Sequence, residues 1–267
     1  MHVKLICSDI DGTLLNKEKE LSDKTIAEII RIAPTPFILI SSRMPYALTH
    51  LQKELDILPL PLIAYNGGLI ISDGEIISST EISNDSTQKI YEFCKKTSLH
   101  LSLYYHNEWY VPSMDFWAQR ESNNTKVKPT IQKVKETLKN WKSKNIGAHK
   151  IMVMGDPEEI NALVDYLDKN FTNEIVFYRS KPEYLEIAHQ SISKKTAIDT
   201  LLTEKYPQIK MENVLAFGDN YNDIEMLQSV GVGVAVSNAI DDVLTIADFV
   251  TSANVEDGVA NYLESFL

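Results

Sequence analysis

Two aspartates separated by one residue, Asp9 and Asp11, are the side chains of this chain whose spacing most directly indicates chemistry. In an extended backbone, positions i and i+2 point to the same side, so we expect both carboxylates to face one pocket. Two carboxylates at close range do not both ionise easily, and we expect one pKa to be raised. A cation beside Asp9 would keep that carboxylate charged and leave Asp11 able to transfer a proton. The pair therefore suits a nucleophile and a general acid–base, and Gly12 permits a tight turn whose N–H groups can face a phosphate.

A polar turn with a capping aspartate would show the same short motif, so the interpretation depends on other segments. One of them, Gly218–Asp223, follows a buried apolar run and contains Asp219, Asn222 and Asp223. Carboxylates from separate loops suit Mg²⁺, which needs only one or two protein carboxylates besides water and phosphate. Asn222 can orient a ligand without adding charge. The alternative is a helix start that carries Asp and Asn because of the helix dipole, but the match to the first aspartate pair favours a metal site.

A lysine and two serines complete the candidate site. Lys194 lies at the start of a predicted helix, where the helix dipole disfavours a basic side chain. We interpret it as a cation that screens the carboxylates and a bound phosphate. The alternative is a solvated surface lysine, which is our interpretation of Lys195. Ser41 and Ser42 directly follow the second predicted strand and form another polar segment at a strand end.

Three of these segments share one structural position, because each comes directly after a predicted strand. The carboxyl ends of parallel strands are where open α/β sheets bind ligands, so the segments are expected to converge on one crevice. Alternating strands and helices predict an α/β fold with a doubly wound parallel-sheet core. The predicted core strands are residues 3–7, 37–40, 62–65, 214–217, 231–236 and 248–250, Ser22 is a predicted helix cap, and Asp73-Gly74 is a predicted hairpin turn.

The strict alternation is interrupted between residues 82 and 189, a segment that contains all three tryptophans. We interpret it as an inserted α+β cap domain, because the α/β pattern resumes afterwards. The expected organisation is a catalytic core of residues 1–81 and 190–267 around this cap. Cap strands are predicted at 101–105, 109–112, 150–154 and 175–179, and a cap helix at 157–170. The lysines of residues 120–145 are interpreted as the solvated face of an apolar stripe formed by Ile131, Val134, Leu138 and Trp141.

Composition limits the class of protein. The 267 residues carry a formal net charge of −11, which argues against a nucleic-acid partner. Cys7 and Cys94 have no metal-binding spacing, and a strand predicted from residue 3 leaves no room for a signal peptide. No apolar run is long enough to span a bilayer. We expect a cytoplasmic protein, a monomer or weak homo-oligomer, that binds neither membrane nor nucleic acid.

Together these motifs resemble those of the haloacid dehalogenase superfamily, specifically its Cof-like sugar-phosphatase subfamily with a large α/β cap. The family's motifs are matched in order by Asp9–Leu14 (DxDGTL), Ser41, Lys194 and Gly218–Asp223 (GDxxND). Asn66-Gly67-Gly68 resembles the family's turn near the substrate, and Asn238-Ala239 with Asp257-Gly258-Val259 resemble its C-terminal signature. The chain departs from the family pattern at Ser42, Lys195 and Leu244, which replace residues that are often glycine, glycine and lysine.

The resemblance implies a Mg²⁺-dependent phosphatase that hydrolyses small phosphorylated metabolites through an aspartyl-phosphate on Asp9. It implies an acid–base role for Asp11 and phosphate stabilisation by Lys194. The remaining implied roles are substrate binding by Gly12, Ser41, Ser42, Asn66 and Asn222, and metal binding by Asp9, the Asp11 carbonyl, Asp219 and Asp223. A hexose phosphomutase or phosphotransferase is an alternative, since a phosphoenzyme can pass its phosphate to a sugar. A non-catalytic sensor of phosphorylated metabolites is a second alternative, which the presence of both Asp9 and Asp11 disfavours.

Overall fold

The structure is a computed structural model that describes residues 3–266. Its contacts divide the chain into two compact units. We call them the core unit, Met1–Ser78 with Ser193–Leu267, and the inserted unit, Ser79–Ile192. The inserted unit begins before residue 82 because Ile82 forms a two-way backbone bridge with Ala148, and because Glu81 accepts the backbone N–H of Gly147 at 2.7 Å.

The amino-terminal part of the core unit alternates strands and helices and ends in a hairpin. It contains β1 (Leu5–Ser8), α1 (Asp23–Arg31), β2 (Phe37–Ile40), α2 (Tyr46–Glu54), β3 (Leu62–Ala64), β4 (Leu69–Ser72) and β5 (Glu75–Ser79). Ser22 caps α1 as predicted, since its Oγ accepts the backbone N–H of Thr25 at 3.0 Å. β4 and β5 are neighbours, and Asp73 and Gly74 between them have φ values of 53° and 78°, as a two-residue hairpin requires.

The inserted unit is an α+β unit built on one sheet. It contains α3 (Asn84–Cys94), β6 (His100–Tyr105), β7 (Glu108–Val111), α4 (Phe116–Thr125), β8 (Thr130–Ile131), α5 (Val134–Lys144), β9 (Lys150–Met154), α6 (Pro157–Asn170), β10 (Ile175–Lys181) and β11 (Tyr184–His189). The sheet order is β10-β11-β9-β6-β7-β8, with antiparallel neighbours except for the parallel pair β7–β8. Side chains from its strands and from α3, α5 and α6 form a separate apolar core.

One expectation for the inserted unit is wrong, and one of its strands was not predicted. Ile131 does not belong to the apolar stripe, because it lies on β8 and is 60% exposed. The stripe is carried by α5, where Leu138 and Trp141 are buried. In addition, β11 is not among the predicted strands, because its residues are mostly buried on both faces and show no alternation of polar and apolar positions.

After the inserted unit, the chain completes the core unit. This part contains α7 (Lys194–Lys205), β12 (Val214–Gly218), α8 (Ile224–Ser229), β13 (Val232–Val236), α9 (Asp241–Ile246), β14 (Phe249–Thr251) and α10 (Gly258–Phe266). The sheet order is β14-β13-β12-β1-β2-β3-β4-β5, and the neighbours from β14 to β3 are parallel, whereas β4 is antiparallel to β3.

The predicted parallel-sheet core is confirmed, and β1 lies near its middle. Ser8 at the end of β1 is in register with Leu39 on β2 and Phe217 on β12. The carboxyl ends of these three strands therefore lie side by side. One face of the sheet packs against apolar side chains of α7, α8 and α9, among them Leu201, Met226 and Val243.

Candidate active site

The loop after β1 carries the first candidate residues. The backbone N–H of Asp9 donates to the carbonyl of Phe217 at 3.0 Å, which holds Asp9 as an extension of the strand. The chain then turns back, because the N–H groups of Leu14 and Leu15 both donate to the carbonyl of Ile10 at 3.0 Å. Asp9 is consequently buried at the strand end.

Gly12 allows two loops to approach each other. Its φ is +92°, a conformation that side chains rarely adopt, and a Cβ atom there would lie 2.4 Å from Oδ2 of Asp219. The Gly12 carbonyl accepts a hydrogen bond from Nδ2 of Asn238 at 2.8 Å, and the Thr13 hydroxyl donates to Oδ1 of Asp219 at 2.7 Å. Glycine at position 12 is therefore required for the contact between the loops after β1 and β12.

Lys194 is brought to the site by the capped start of α7. The Ser193 hydroxyl accepts the N–H of Thr196, and the Thr196 hydroxyl accepts the N–H of Ser193. Lys194, the first residue of the helix, is 0% exposed, and its Nζ lies 2.5 Å from Oδ1 of Asp9 and 2.6 Å from Oδ1 of Asp223. Burial alone would lower the pKa of this lysine, but the two carboxylates outweigh it and raise the pKa. Lys194 is therefore a buried cation inside an acidic site.

Asp223 uses both carboxylate oxygens within the protein. Oδ1 accepts from Lys194, and Oδ2 accepts the backbone N–H groups of Asp219 and Asn220 at 2.9 and 3.0 Å. A Cβ atom at Gly218 would lie 2.5 Å from the Cβ of Asp223, so glycine is needed where the loop leaves β12. Asp223 thus shapes this loop and fixes the position of Asp219.

Asp9, Asp219 and Asp223 form what we call the acidic cluster, because each offers a carboxylate oxygen and these oxygens lie within 4.8 Å of one another. Burial raises the pKa of Asp9 well above its ordinary value; Lys194 opposes this shift, and the neighbouring carboxylates reinforce it. Burial and the charge of Asp223 raise the pKa of Asp219 to about 6. Hard divalent cations prefer oxygen ligands, and several carboxylate oxygens close to one another supply them. The residues present therefore fit a divalent metal ion.

The Asp11 carboxylate is not part of the acidic cluster. Its Oδ2 accepts from Nε of Arg43 at 2.6 Å, and its Oδ1 accepts from Nη2 of Arg43 at 2.8 Å and from Nζ of Lys19 at 3.0 Å. Burial would raise the pKa of Asp11, but Arg43 and then Lys19 outweigh it and lower the pKa. In the absence of a divalent cation, the pKa is therefore raised at Asp9 and lowered at Asp11. The expected division of the aspartate pair depends on a cation beside Asp9 and stays a prediction.

The loop after β2 contacts the turn after β3. Ser41 is buried, its carbonyl accepts the N–H of Asn66 at 2.8 Å, and its Oγ accepts the N–H of Arg43 at 3.2 Å. Asn66 has a φ of +56°, and its Oδ1 accepts from Nδ2 of Asn222 at 3.1 Å. The structure thus brings together two predicted substrate-binding residues from opposite sides of the insertion, and Ser42 lies in the same loop as Ser41.

Four residues of this site are absent from the sequence-based site prediction: Thr13, Lys19, Arg43 and Asn238. Arg43 carries a usable signal, because an arginine next to a strand end is buried only with an anionic partner. Thr13 lies within the matched motif Asp9–Leu14 and Asn238 within the C-terminal signature, so both also carry a signal, whereas Lys19 reaches the site through a side-chain direction that no spacing rule indicates.

The fold and the site together define a class of hydrolase. The profile of the haloacid dehalogenase-like hydrolases matches residues 6–263, a range that contains every site residue described above. The chain belongs to this family.

Individual relatives agree with this assignment. A Haemophilus influenzae protein named provisionally as a phosphatase is 32% identical over 269 residues, covering 99% of this chain and 98% of that protein. The Bacillus subtilis 5-amino-6-(5-phospho-D-ribitylamino)uracil phosphatase YcsE is 30% identical over 275 residues, covering 99% and 96%. The crystal structure of a haloacid dehalogenase-like hydrolase from Bacteroides thetaiotaomicron is 30% identical, covers 99% of this chain and 100% of that chain, and has a TM-score of 0.90. The predicted family, fold and phosphatase class are confirmed.

The helices between residues 3 and 266 include none with the length and apolar character that crossing a membrane requires.

Proposed function

We propose that this protein is a Mg²⁺-dependent phosphatase that hydrolyses small phosphate monoesters, such as sugar phosphates, through an aspartyl-phosphate formed on Asp9. The environment of Asp9 carries the proposal. This buried carboxylate lies 2.5 Å from the ammonium of Lys194 and belongs to a cluster that suits a divalent cation. A carboxylate nucleophile needs adjacent positive charge, both to stay ionised and to accept a phosphate group.

Asp9, Asp219 and the backbone carbonyl of Asp11 would hold the Mg²⁺ ion. Asp223, whose oxygens already bind Lys194 and the backbone, would keep Asp219 in place. When bound, the ion neutralises the negative charge of the phosphoryl oxygens. The residues around it then have to orient the ester and move protons.

The reaction proceeds in two displacements. First, a carboxylate oxygen of Asp9 attacks phosphorus, the bond to the leaving oxygen breaks, and Asp11 protonates that oxygen. Then Asp11 accepts a proton from water, whose oxygen attacks phosphorus and releases phosphate from Asp9. The Ser41 hydroxyl, the Ser42 N–H and Lys194 stabilise the phosphoryl oxygens. In the first displacement Asp11 has to carry a proton, and the negative charge of the entering phosphate favours this protonated form. In the second displacement Asp11 has to accept a proton, and the ionised form that it has in the resting site suits this role.

We further propose that the inserted unit acts as a cap that selects the leaving group, while Gly12, Asn66 and Asn222 contact the phosphate end of the ester. The name of the Bacillus subtilis relative describes a phosphate ester of a ribityl chain. This supports phosphorylated polyols as the substrate class.

A substrate screen tests the proposal. The protein is incubated with Mg²⁺ and phosphorylated sugars, sugar alcohols and nucleotides, and both free phosphate and isomerised ester are measured. We expect free phosphate; an isomeric sugar phosphate without free phosphate would support the phosphomutase alternative instead.

Trapping the phosphoenzyme tests the mechanism. With ³²P-labelled substrate, rapidly quenched wild-type protein should carry hydroxylamine-labile label, whereas Asp9→Asn should carry none. Asp242→Asn is the matched control, because this carboxylate lies exposed on α9, and it should be labelled like the wild type. Turnover by Asp9→Asn at the wild-type rate would refute the role of Asp9.

A further inference from the structure

Within residues 3–266, the hydrogen bonds to Asp11 leave one position of its carboxylate open. An ionised carboxylate offers about four lone-pair positions, two on each oxygen. Arg43 occupies one on each oxygen through its two parallel contacts of 2.6 and 2.8 Å, and Lys19 occupies a second one on Oδ1 at 3.0 Å. The remaining position is on Oδ2.

Arg43 is itself held firmly. The side chain is 6% exposed, its backbone N–H donates to Oγ of Ser41, and its carbonyl accepts the N–H of Tyr65 at 3.1 Å. A planar guanidinium that contacts both oxygens of a carboxylate fixes the plane of that carboxylate as well as its distance. The orientation of Asp11 therefore follows from the backbone of the loop after β2.

Lys19 reaches Asp11 from the tip of a closed turn. Oδ1 of Asn16 accepts the N–H groups of Glu18 and Glu20 at 3.0 Å, and the N–H of Asn16 donates to the carbonyl of Glu20. Lys19 has a φ of +63°, a conformation that costs a non-glycine residue free energy and is kept where the surroundings require it. Its side chain is 40% exposed, whereas Lys17 in the same turn is exposed and is not among the residues that contact Asp11.

We infer that Arg43 and Lys19 are positioning residues that present Oδ2 of Asp11 as the oxygen that transfers the proton. This inference rests on the acid–base role proposed for Asp11. In the first displacement, the proton leaves Oδ2 for the leaving oxygen as the bond from that oxygen to phosphorus breaks. In the second, Oδ2 takes the proton of the attacking water. Oδ1 serves neither step, because Arg43 and Lys19 occupy it.

The test compares two leaving groups in the first turnover, measured by rapid quench with enzyme in excess. A sugar phosphate releases an alkoxide that needs a proton, whereas p-nitrophenyl phosphate releases a stable phenolate that does not. We expect Arg43→Met to slow release of the sugar by about 10²-fold, the scale of a lost acid, and to slow release of p-nitrophenol by less than about 3-fold. Arg43→Lys should recover little, because an ammonium cannot contact both oxygens in parallel.

Lys19→Met should slow release of the sugar by roughly 10-fold, since one of three contacts is lost, and Lys17→Met is its matched control with no expected effect. In a protein that already carries Asp11→Asn, Arg43→Met should slow release of the sugar by less than about a further 2-fold. The reason is that the effects of substituting residues that act as a unit are not additive.

Equal losses with both leaving groups, or full additivity with Asp11→Asn, would overturn the inference. If Arg43→Met fails to fold, as judged by its melting temperature, the half-exposed Lys19 carries the same comparison alone. A wild-type protein without activity toward any phosphate ester would instead overturn the proposed function. An active wild type with uniformly slowed variants would overturn only the positioning role.

Discussion

The substitution Lys194→Met removes a fully buried charge while keeping most of the side-chain volume. In the wild-type protein, Nζ lies 2.5 Å from Asp9 and 2.6 Å from Asp223, and the exposed fractions of these two side chains are 8% and 0%. In the variant, both carboxylates lose this cation and keep Asp219 as an acidic neighbour. The structure thus predicts an excess of buried negative charge.

The expected cost follows from buried ion pairs in general. Removing one partner destabilises a protein by about 3–5 kcal/mol, because the remaining charge is buried without compensation. Two carboxylates lose their partner here, but proton uptake by Asp9 relieves part of the repulsion. We therefore expect the free energy of unfolding of the core unit to fall by about 3–5 kcal/mol at neutral pH without divalent metal. This corresponds to roughly 10 °C in Tm for a domain of this size.

Urea unfolding followed by circular dichroism, first in EDTA and then in Mg²⁺, measures the effect. Lys195→Met is the matched control, because this neighbouring ammonium is 34% exposed and pairs with Asp199 on the helix surface. Its effect should stay below about 0.5 kcal/mol. Mg²⁺ should stabilise Lys194→Met more than the wild type, since a divalent cation replaces part of the lost charge. Activity should fall by about 10²–10³-fold.

Equal stability of the Lys194→Met and Lys195→Met proteins in EDTA would refute the reasoning that this lysine balances buried carboxylates. Failure of Mg²⁺ to stabilise either the wild type or the variant would refute the acidic cluster as a metal site.

Four further predictions follow from the same structure. Asp9→Asn should abolish phosphate release but retain the wild-type circular dichroism, because an amide forms no acyl phosphate. EDTA should abolish activity and Mg²⁺ should restore it, and Asp219→Ala should raise the Mg²⁺ requirement or abolish activity. Burial, and then His106, lower the pKa of His149 to about 3, so the folded state keeps this histidine neutral while the unfolded state binds a proton below about pH 6.5. Its contribution to stability is therefore complete above pH 6.5 and falls by up to about 5 kcal/mol as the pH falls toward 3, and His149→Gln should flatten that part of the unfolding profile. Substitutions of exposed residues in the inserted unit should change which esters are preferred while p-nitrophenyl phosphate is still hydrolysed.

Specific results would contradict these predictions. Substantial turnover by Asp9→Asn contradicts the nucleophile assignment, and full activity in EDTA contradicts the metal requirement. A His149→Gln protein that keeps the wild-type acid sensitivity shows that other groups cause it. An unchanged order of preferred esters in every active variant of the inserted unit shows that this unit does not select the substrate.

The core elements could be predicted where local pattern and burial agree. The run Phe37–Ile40 is apolar throughout and is buried on both faces in the sheet. Ser22 and Asp73-Gly74 have few alternatives to a helix cap and a hairpin turn. β11 could not be predicted, because its pairing with β9 and β10 comes from tertiary contacts and not from its own alternation.

The convergence of Asp9, Asp219 and Asp223 could be predicted from one topological rule, that loops after parallel strands meet at the same end of a sheet. Lys194 could be predicted from its unfavourable place at a helix start. The environment of Asp11 could be predicted only in part, because Arg43 directly follows the two serines after β2, whereas Lys19 reaches Asp11 through the direction of its side chain. These two cations lower the pKa of Asp11, and burial raises the pKa of Asp9.

Because the inserted unit lies between two parts of the core unit, the ribosome makes the strands on either side of β1 at different times. β1 pairs with β2, made before the insertion, and with β12, made after it. A growing chain therefore displays one side of β1 as an open strand edge, a template for misassociation, until residues beyond 214 have been made. The inserted unit has an apolar core of its own, so it can become compact during this interval while the sheet around β1 stays incomplete. Chains that end before residue 214 lack Asp219 and Asp223, so they have no complete acidic cluster, and their unpaired strand edge makes them prone to aggregation.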